Sequence, residues 1–352
     1  MCVDEPRIRP IGGPALVTGA TGWLGSRMAE FLAQDAAAPP RCFVLSGQKR
    51  ALAALAPRLE LVEGDLRSPA DCGRFCSGMR DAVLYHCAGV IHPRRVREYY
   101  EVNVNGVRNL LTAAAKAGVR RAVIVSSNSP CGCNPHPDHL FDEFSPYNPY
   151  MHYGRSKMHM ELLVRELHAS GTLESVIIRA PWFYGPNQPP RQSLFFEMIR
   201  EGRVPVVGGG QCRRSMAYID NLCAGLLLAA REPRAAGQTY WIADKRPYTW
   251  NEVIETIERV MENDFSMPVR RGRLPLPGIA ADVARATDRL LQAAGLYHQK
   301  IHVLSETNQD IACSIARAQA EIGYDPRIAL AEGMRRSIAW CIAQGQMSAG
   351  GA

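Results

Sequence analysis

From residue 15 onward, short apolar runs alternate with longer stretches whose apolar positions recur every three or four residues. Ala15-Leu16-Val17 is the first run; after a glycine-rich turn, Trp23, Met28, Phe31 and Leu32 mark one face of a helix. Cys42–Leu45, Leu59–Asp65, Ala82–Gly89 and Ala122–Val125 repeat the strand signature. Between the last two, the helix around Tyr99–Ala117 carries Asn103 and Asn105, with Val107, Leu110, Leu111 and Ala114 as a core stripe. A further helix opens at Met151, with Met160, Leu163, Val164 and Leu167 inward, and Leu173–Ile178 is the next strand. Strands this short and apolar are buried on both faces, so the pattern predicts an α/β chain whose parallel sheet is wound with helices on both sides.

Past Arg179 the alternation breaks. Helices are expected near 192–201, 249–262, 279–293, 310–321 and 328–343, and a strand at Thr239–Ile242, with 267–278 a Pro/Arg/Gly linker. The expected organisation is a dinucleotide-binding domain over 14–185 that carries the catalytic residues. A smaller, mostly helical lobe over 186–345 then binds substrate and is partly interleaved with the sheet. Residues 1–14 read as a loose leader, and Ala36-Ala37-Ala38-Pro39-Pro40 as a break.

Composition narrows the class without naming a function. The 352 residues are 47% hydrophobic and 21% charged, as in a folded domain, and a net charge of +7 favours anionic ligands. The basic residues are scattered and form no nucleic-acid motif, so nucleic acid is not an expected partner. The 11 cysteines lack zinc-site spacing and are odd in number, which predicts buried thiols and no metal. Neither a signal-peptide pattern nor a membrane-length apolar run is present. The expected location is therefore cytoplasmic, with peripheral membrane contact left open.

The chemistry begins at Thr18-Gly-Ala-Thr-Gly-Trp-Leu-Gly25. Gly19, Gly22 and Gly25, with Thr21, Trp23 and Leu24 between and beside them, would let the backbone and the first helical turn meet a pyrophosphate. This is the Rossmann-type arrangement. After the second strand comes Ser46-Gly-Gln-Lys49-Arg50, with two cations and no carboxylate; that favours NADP(H), with NAD(H) possible. Asp65 and Leu66 are placed at the adenine, and Cys87-Ala88-Gly89 ends a strand with room for the cofactor backbone. Tyr153 and Lys157, four apart on a helix, share a face; a lysine there would lower the tyrosine's pKa and hold the cofactor ribose. Ser127, at a strand end, can hydrogen-bond a substrate oxygen. Together they suit proton transfer at an oxygen while a nicotinamide exchanges hydride at the carbon.

These stretches, with Asn103-Val-Asn-Gly106, Arg179-Ala-Pro-Trp-Phe-Tyr-Gly-Pro186, Tyr218-Ile-Asp-Asn221 and Gly323-Tyr-Asp-Pro326, resemble the extended short-chain dehydrogenase/reductase superfamily. Within it, the NAD-dependent epimerase/dehydratase and 3β-hydroxysteroid dehydrogenase-like enzymes are the similar groups. The resemblance implies Tyr153 as acid/base, Lys157 as its modifier and Ser127 as donor to the substrate oxygen. It also implies that Asn103 fixes the active-site helix kink, that Pro181, Trp182 and Phe183 meet nicotinamide and substrate, and that the protein is a homodimer through 100–117 and 151–168. Asn128-Ser129-Pro130 stands where sugar-nucleotide dehydratases carry an Asp-Glu pair, which argues against elimination of water. Arg214 stands where sugar-nucleotide enzymes often hold a phosphate. The expected activity is NAD(P)-dependent interconversion of a ketone and a secondary alcohol on a small hydrophobic or biosynthetic-intermediate substrate. The alternative is a nucleotide-sugar epimerase with tightly bound NAD. Phe195, Phe196, Met198, Leu274, Leu276, Ile279 and Leu296 are the apolar material for a pocket.

Overall fold

A computed structural model describes residues 13–35 and 38–348; the leader through residue 12, and Ala36 and Ala37 of the expected break, lie outside the described residues. The first half runs β1 (Ala15–Thr18), α1 (Trp23–Asp35), β2 (Arg41–Val44), β3 (Glu60–Glu63), α2 (Pro69–Cys76), β4 (Val83–His86), α3 (Arg97–Tyr100), α4 (Val107–Lys116), β5 (Arg121–Ser127), α5 (Met151–Ala169) and β6 (Ser175–Ala180). The second half runs β7 (Trp182–Tyr184), α6 (Pro190–Arg200), β8 (Pro205–Val207), β9 (Arg213–Arg214), β10 (Met216–Tyr218), α7 (Ile219–Arg231), β11 (Thr239–Trp241), β12 (Tyr248–Thr249), α8 (Trp250–Phe265), β13 (Leu274–Leu276), α9 (Ile279–Ala293), α10 (Gln299–Glu306), α11 (Ala316–Ile322) and α12 (Leu330–Ala343). Seven strands form one parallel sheet in the order β11-β6-β5-β4-β1-β2-β3. The expected Rossmann-like sheet, followed by a more helical C-terminal region, is what the chain builds.

Two apolar layers cover this sheet. Helices α1 and α7 bury Leu24, Met28, Leu222 and Leu226 with Val17, Val123 and Ile178 on one side. On the other, α2, α4 and α5 bury Phe75, Leu110, Leu111, Met160 and Leu163 against Leu16, Leu84 and Ile124. A third cluster joins α6, α8 and α12 through Phe196, Ile254, Ile257, Met334 and Ile338. Arg27 ties the first layer together by a two-pronged pair with Asp220, its Nε 2.6 Å from Oδ1. Arg121 is 3% exposed and donates to the carbonyls of Ala229, Ala230 and Glu232 at the end of α7. That satisfies carbonyls which a helix terminus cannot pair for itself.

Three departures from the sequence reading bear on the site. The helix expected over 99–117 is interrupted by a π-helical segment, Glu101–Gly106, between α3 and α4. The 267–278 linker contains β13, which pairs with β8. The helix expected from 310 begins at Ala316, because Ile311 bridges to Arg214 and Cys313 to Phe141 as extended chain.

Candidate active site

The glycine turn is shaped by close packing. Gly19 has φ 69°, and a Cβ there would lie 2.7 Å from the Ala88 backbone; one on Gly25 would lie 2.0 Å from the Gly19 carbonyl. These two glycines therefore hold β1, the start of α1 and the Cys87-Ala88 end of β4 at backbone contact. Gly22 differs: within 4 Å its added Cβ would meet just the Gly19 oxygen, at 3.2 Å. The crest of the turn is thus open, beside first-turn N–H groups that have no intrahelical acceptor. A dinucleotide pyrophosphate fits this cradle. Trp23 closes one side: its Nε1 donates to the Pro186 carbonyl at 2.7 Å and its ring lies 4.9 Å from Phe183.

At the sheet's centre, Thr18 Oγ1 lies 2.8 Å from His86 Nδ1 and accepts from the Ala88 N–H at 3.3 Å. His86 is fully buried, with Nε2 unpaired, and burial drives its pKa down to about 3. It is a neutral packing residue. Asn103, on the π-helical segment, accepts from the Val90 N–H at 2.8 Å and donates to Val90 O at 3.0 Å and Ser156 Oγ at 3.1 Å. One amide thereby joins the loop after β4 to α5, the helix that bears Tyr153 and Lys157.

Helix α5 reaches the end of β5 through Gly154, whose added Cβ would strike the Ser129 carbonyl at 2.4 Å. Sequence reasoning missed this glycine; its signal was a small residue between Tyr153 and Lys157. The Ser127 hydroxyl lies 3.3 Å from both Asn128 Oδ1 and Ser129 Oγ. Tyr153 carries a raised pKa, about 12, because burial disfavours the phenolate; the Ser127 hydroxyl draws it down and Glu306 adds to the rise. The expected depression by Lys157 is absent. Lys157 is buried, donates to Val125 O at 3.0 Å, and is itself pushed down to about 8 by loss of solvent. An added Cβ on Gly89 would lie 3.5 Å from Lys157 Nζ and from Asn103 Oδ1, so the three positions converge.

A lid of aromatic and polar groups covers Tyr153. Tyr99 lies 5.7 Å from its ring and Tyr297 lies edge-on to Tyr99 at 6.0 Å, with the Tyr297 hydroxyl 2.6 Å from His92 Nδ1. Tyr99 comes from α3 and Tyr297 from the link between α9 and α10, two helices fastened by Tyr150 Oη to Ser305 Oγ at 2.7 Å and by the His152 N–H to Gln292 Oε1 at 3.1 Å. Inside it, His302 Nδ1 lies 2.7 Å from Asp288 Oδ2. None of these lid residues was singled out from sequence, because they meet the site only through long-range packing.

The other expected site residues are dispersed. Pro181 is buried between β6 and β7, and Trp182 stacks on Trp250 at 5.7 Å. Arg214 is half-buried and donates to the Glu306 carbonyl. The Asp65 carboxylate is held by Arg67, whose hydrogen bond keeps it below the usual carboxylate range, and Leu66 is buried. Ser46, Lys49 and Arg50 are exposed at the end of β2. Of the apolar pocket residues, Phe196 is core, whereas Leu274, Ile279 and Leu296 are 53%, 67% and 44% exposed. Among the described residues no group of His, Cys, Asp and Glu is arranged to hold a metal, and no helix is long and apolar enough to cross a membrane.

The NAD dependent epimerase/dehydratase family model matches residues 15–243. The uncharacterized protein y4nL of Sinorhizobium fredii is 51% identical over 343 residues, covering 94% of this chain and 96% of its own. The N-acetyl-alpha-D-glucosaminyl-diphospho-ditrans,octacis-undecaprenol 4-epimerase of Escherichia coli O157:H7 is 27% identical, over 69% of this chain and 71% of its own. Among solved structures, a double mutant of the dTDP-glucose 4,6-dehydratase DesIV from Streptomyces venezuelae, with NAD bound, is 26% identical at a TM-score of 0.70, covering 93% of this chain and 96% of its own.

These findings overturn the preference for NADP. Solved structures that it resembles hold NAD, among them both DesIV forms and the UDP-glucuronic acid 4-epimerase of Bacillus cereus. The physical reason lies on the neighbouring strand: Glu63 of β3 sits 3.7 Å from Lys49 Nζ and accepts from the Gly47 N–H at 3.3 Å. A carboxylate therefore stands at the loop after β2, where sequence alone showed cations, and offsets the charge an extra phosphate would need. With its glycine cradle, its Tyr153–Lys157 helix and its seven-stranded sheet, the chain belongs to the NAD dependent epimerase/dehydratase family, the extended type of short-chain dehydrogenase/reductase.

Proposed function

We propose that this protein interconverts a keto group and a secondary alcohol on a nucleotide sugar or a related sugar-diphosphate intermediate, using NAD. The observation that carries the reading is the convergence of Ser127, Tyr153 and Lys157 beside the Gly19–Gly25 cradle. The similarity to a 4-epimerase and a glucose 4,6-dehydratase supports the nucleotide-sugar alternative over the hydrophobic or biosynthetic-intermediate ketone of the main expectation. When bound, NAD supplies a carbon that accepts and returns hydride. Tyr153 moves the proton of the reacting oxygen, and Ser127 hydrogen-bonds that oxygen and aligns it. Because the Tyr153 phenol is pushed up to about 12, its resting form is protonated, ready to donate to a developing alkoxide. The Lys157 ammonium, held on Val125 O near Gly89, is our choice to hold the cofactor ribose. Asn103 positions the loop after β4. Asn128 stands where dehydratases carry acid, so net epimerisation or redox is favoured over loss of water. The exposed side of α4 and α5, which includes Leu162, is our choice for a homodimer contact.

The test is turnover of a UDP- or dTDP-hexose panel with NAD, read by sugar analysis and by absorbance of reduced cofactor. Tyr153→Phe should lose at least about 100-fold in kcat while still binding NAD. Normal turnover by Tyr153→Phe would sink the mechanism.

A further inference from the structure

A cavity of about 400 Å³ lies between the N-terminal turn of α5, the Cys133 loop and α9. Three guanidinium-bearing residues line it, Arg155, Arg285 and Arg289, and no carboxylate does. Arg285 and Arg289 are four apart on α9 and so share a face, where like charges repel. Arg155 and Arg289 have no ion-pair or hydrogen-bond partner among the described residues. Arg285 Nε and Nη2 are buried without a hydrogen bond; the nearest acid, the exposed Asp282, reaches only to 3.4 Å of Nη2. Two amides of the wall are already engaged, Gln292 with Asp288 and Gln309 with the Asn308 carbonyl, while Asn148 adds a neutral amide. Three guanidiniums with donors to spare, Arg285 partly buried and Arg155 and Arg289 exposed, converge on one cavity and have the chemistry of a phosphate or diphosphate receptor.

We infer that this cavity is a phosphoryl-anion site, distinct from the glycine cradle. It adjoins Met151 and His152, immediately before Tyr153, so an anion seated there would be carried by the helix that bears the catalytic pair. Its use by the substrate rests on the function proposed above; its affinity for phosphoryl anions does not.

The experiment is calorimetric titration of NAD-saturated protein with inorganic pyrophosphate and, separately, with inorganic phosphate. Saturable one-to-one binding of pyrophosphate is expected, weakened about tenfold or more in Arg285→Gln and in Arg289→Gln, with NAD affinity and melting temperature unchanged. Equal affinity in both variants, or no saturable binding of either anion to the wild type, overturns the inference. A UDP-glucose arm separates the sources. Displacement of pyrophosphate assigns the site to the substrate's own diphosphate, and co-binding assigns it to a separate phosphorylated ligand. Because no turnover is read, loss of the proposed activity and loss of this site are told apart.

Discussion

Lys157 shows how burial sets the working range of a site. Its ammonium gives up solvent for one carbonyl, so its pKa falls from the ordinary lysine value to about 8. A depressed lysine loses its charge as pH rises through that value, and with it the proposed charged hold on the cofactor ribose. The kcat/KM should therefore fall roughly tenfold per pH unit above about 8, and Lys157→Arg should move this limb upward; a flat profile to pH 10 would exclude the assignment. In stability the sign is opposite. The unfolded chain keeps the proton between about 8 and the ordinary lysine value, so the penalty of burying the cation is relieved as pH rises through that window. That Tyr153 and Lys157 share a face was legible from spacing alone. The Gly154 contact with Ser129, and the Glu63 that neutralises Lys49, were not. Both join residues far apart in sequence, through a helix-to-loop approach and a neighbouring strand that no local pattern specifies.

Helices α9 and α10 act as one element over Tyr153, and their internal link is titratable. Burial alone would lower the His302 pKa, but the hydrogen bond and charge of Asp288, with Glu306, raise it overall. A raised histidine contributes stability that is complete below its unfolded value, about 6.5, and that is lost as pH climbs through the folded value. Amide exchange over 279–306, corrected for intrinsic rate, should accelerate across that interval. Asp288→Asn should exchange faster at low pH and flatten the dependence; an unchanged profile would show that the pair does not hold the lid. The span of α9 was readable because its apolar positions recur at helical spacing. The π-helical segment was not, since its apolar residues keep a helix-like rhythm while one additional residue turns Asn103 toward Val90 and Ser156.

Across the whole molecule, one buried carboxylate links α5 to the sheet. Glu161 of α5 is 0% exposed and accepts from Arg179 of β6, from Ser126 of β5 and from Tyr147. Glu161→Ala should lower stability by about 3–5 kcal/mol by leaving the Arg179 cation buried and unpaired, read as a fall in denaturant midpoint; a loss under about 1 kcal/mol would mean that solvent reaches the pair. The guanidinium also faces Trp241 at 5.6 Å, and the Trp241 N–H donates to Glu143 at 3.1 Å. Strand β11 thus completes the sheet only after residues 181–238 have intervened. During synthesis this sets an order of events. Ser127, Tyr153 and Lys157 leave the ribosome well before the strand that shields β6, and the growing chain carries an unpaired sheet edge for all that time. A chain released near residue 185 would hold every group proposed as catalytic and still be an aggregation hazard, so the proposed reaction centre matures only once its farthest strand arrives.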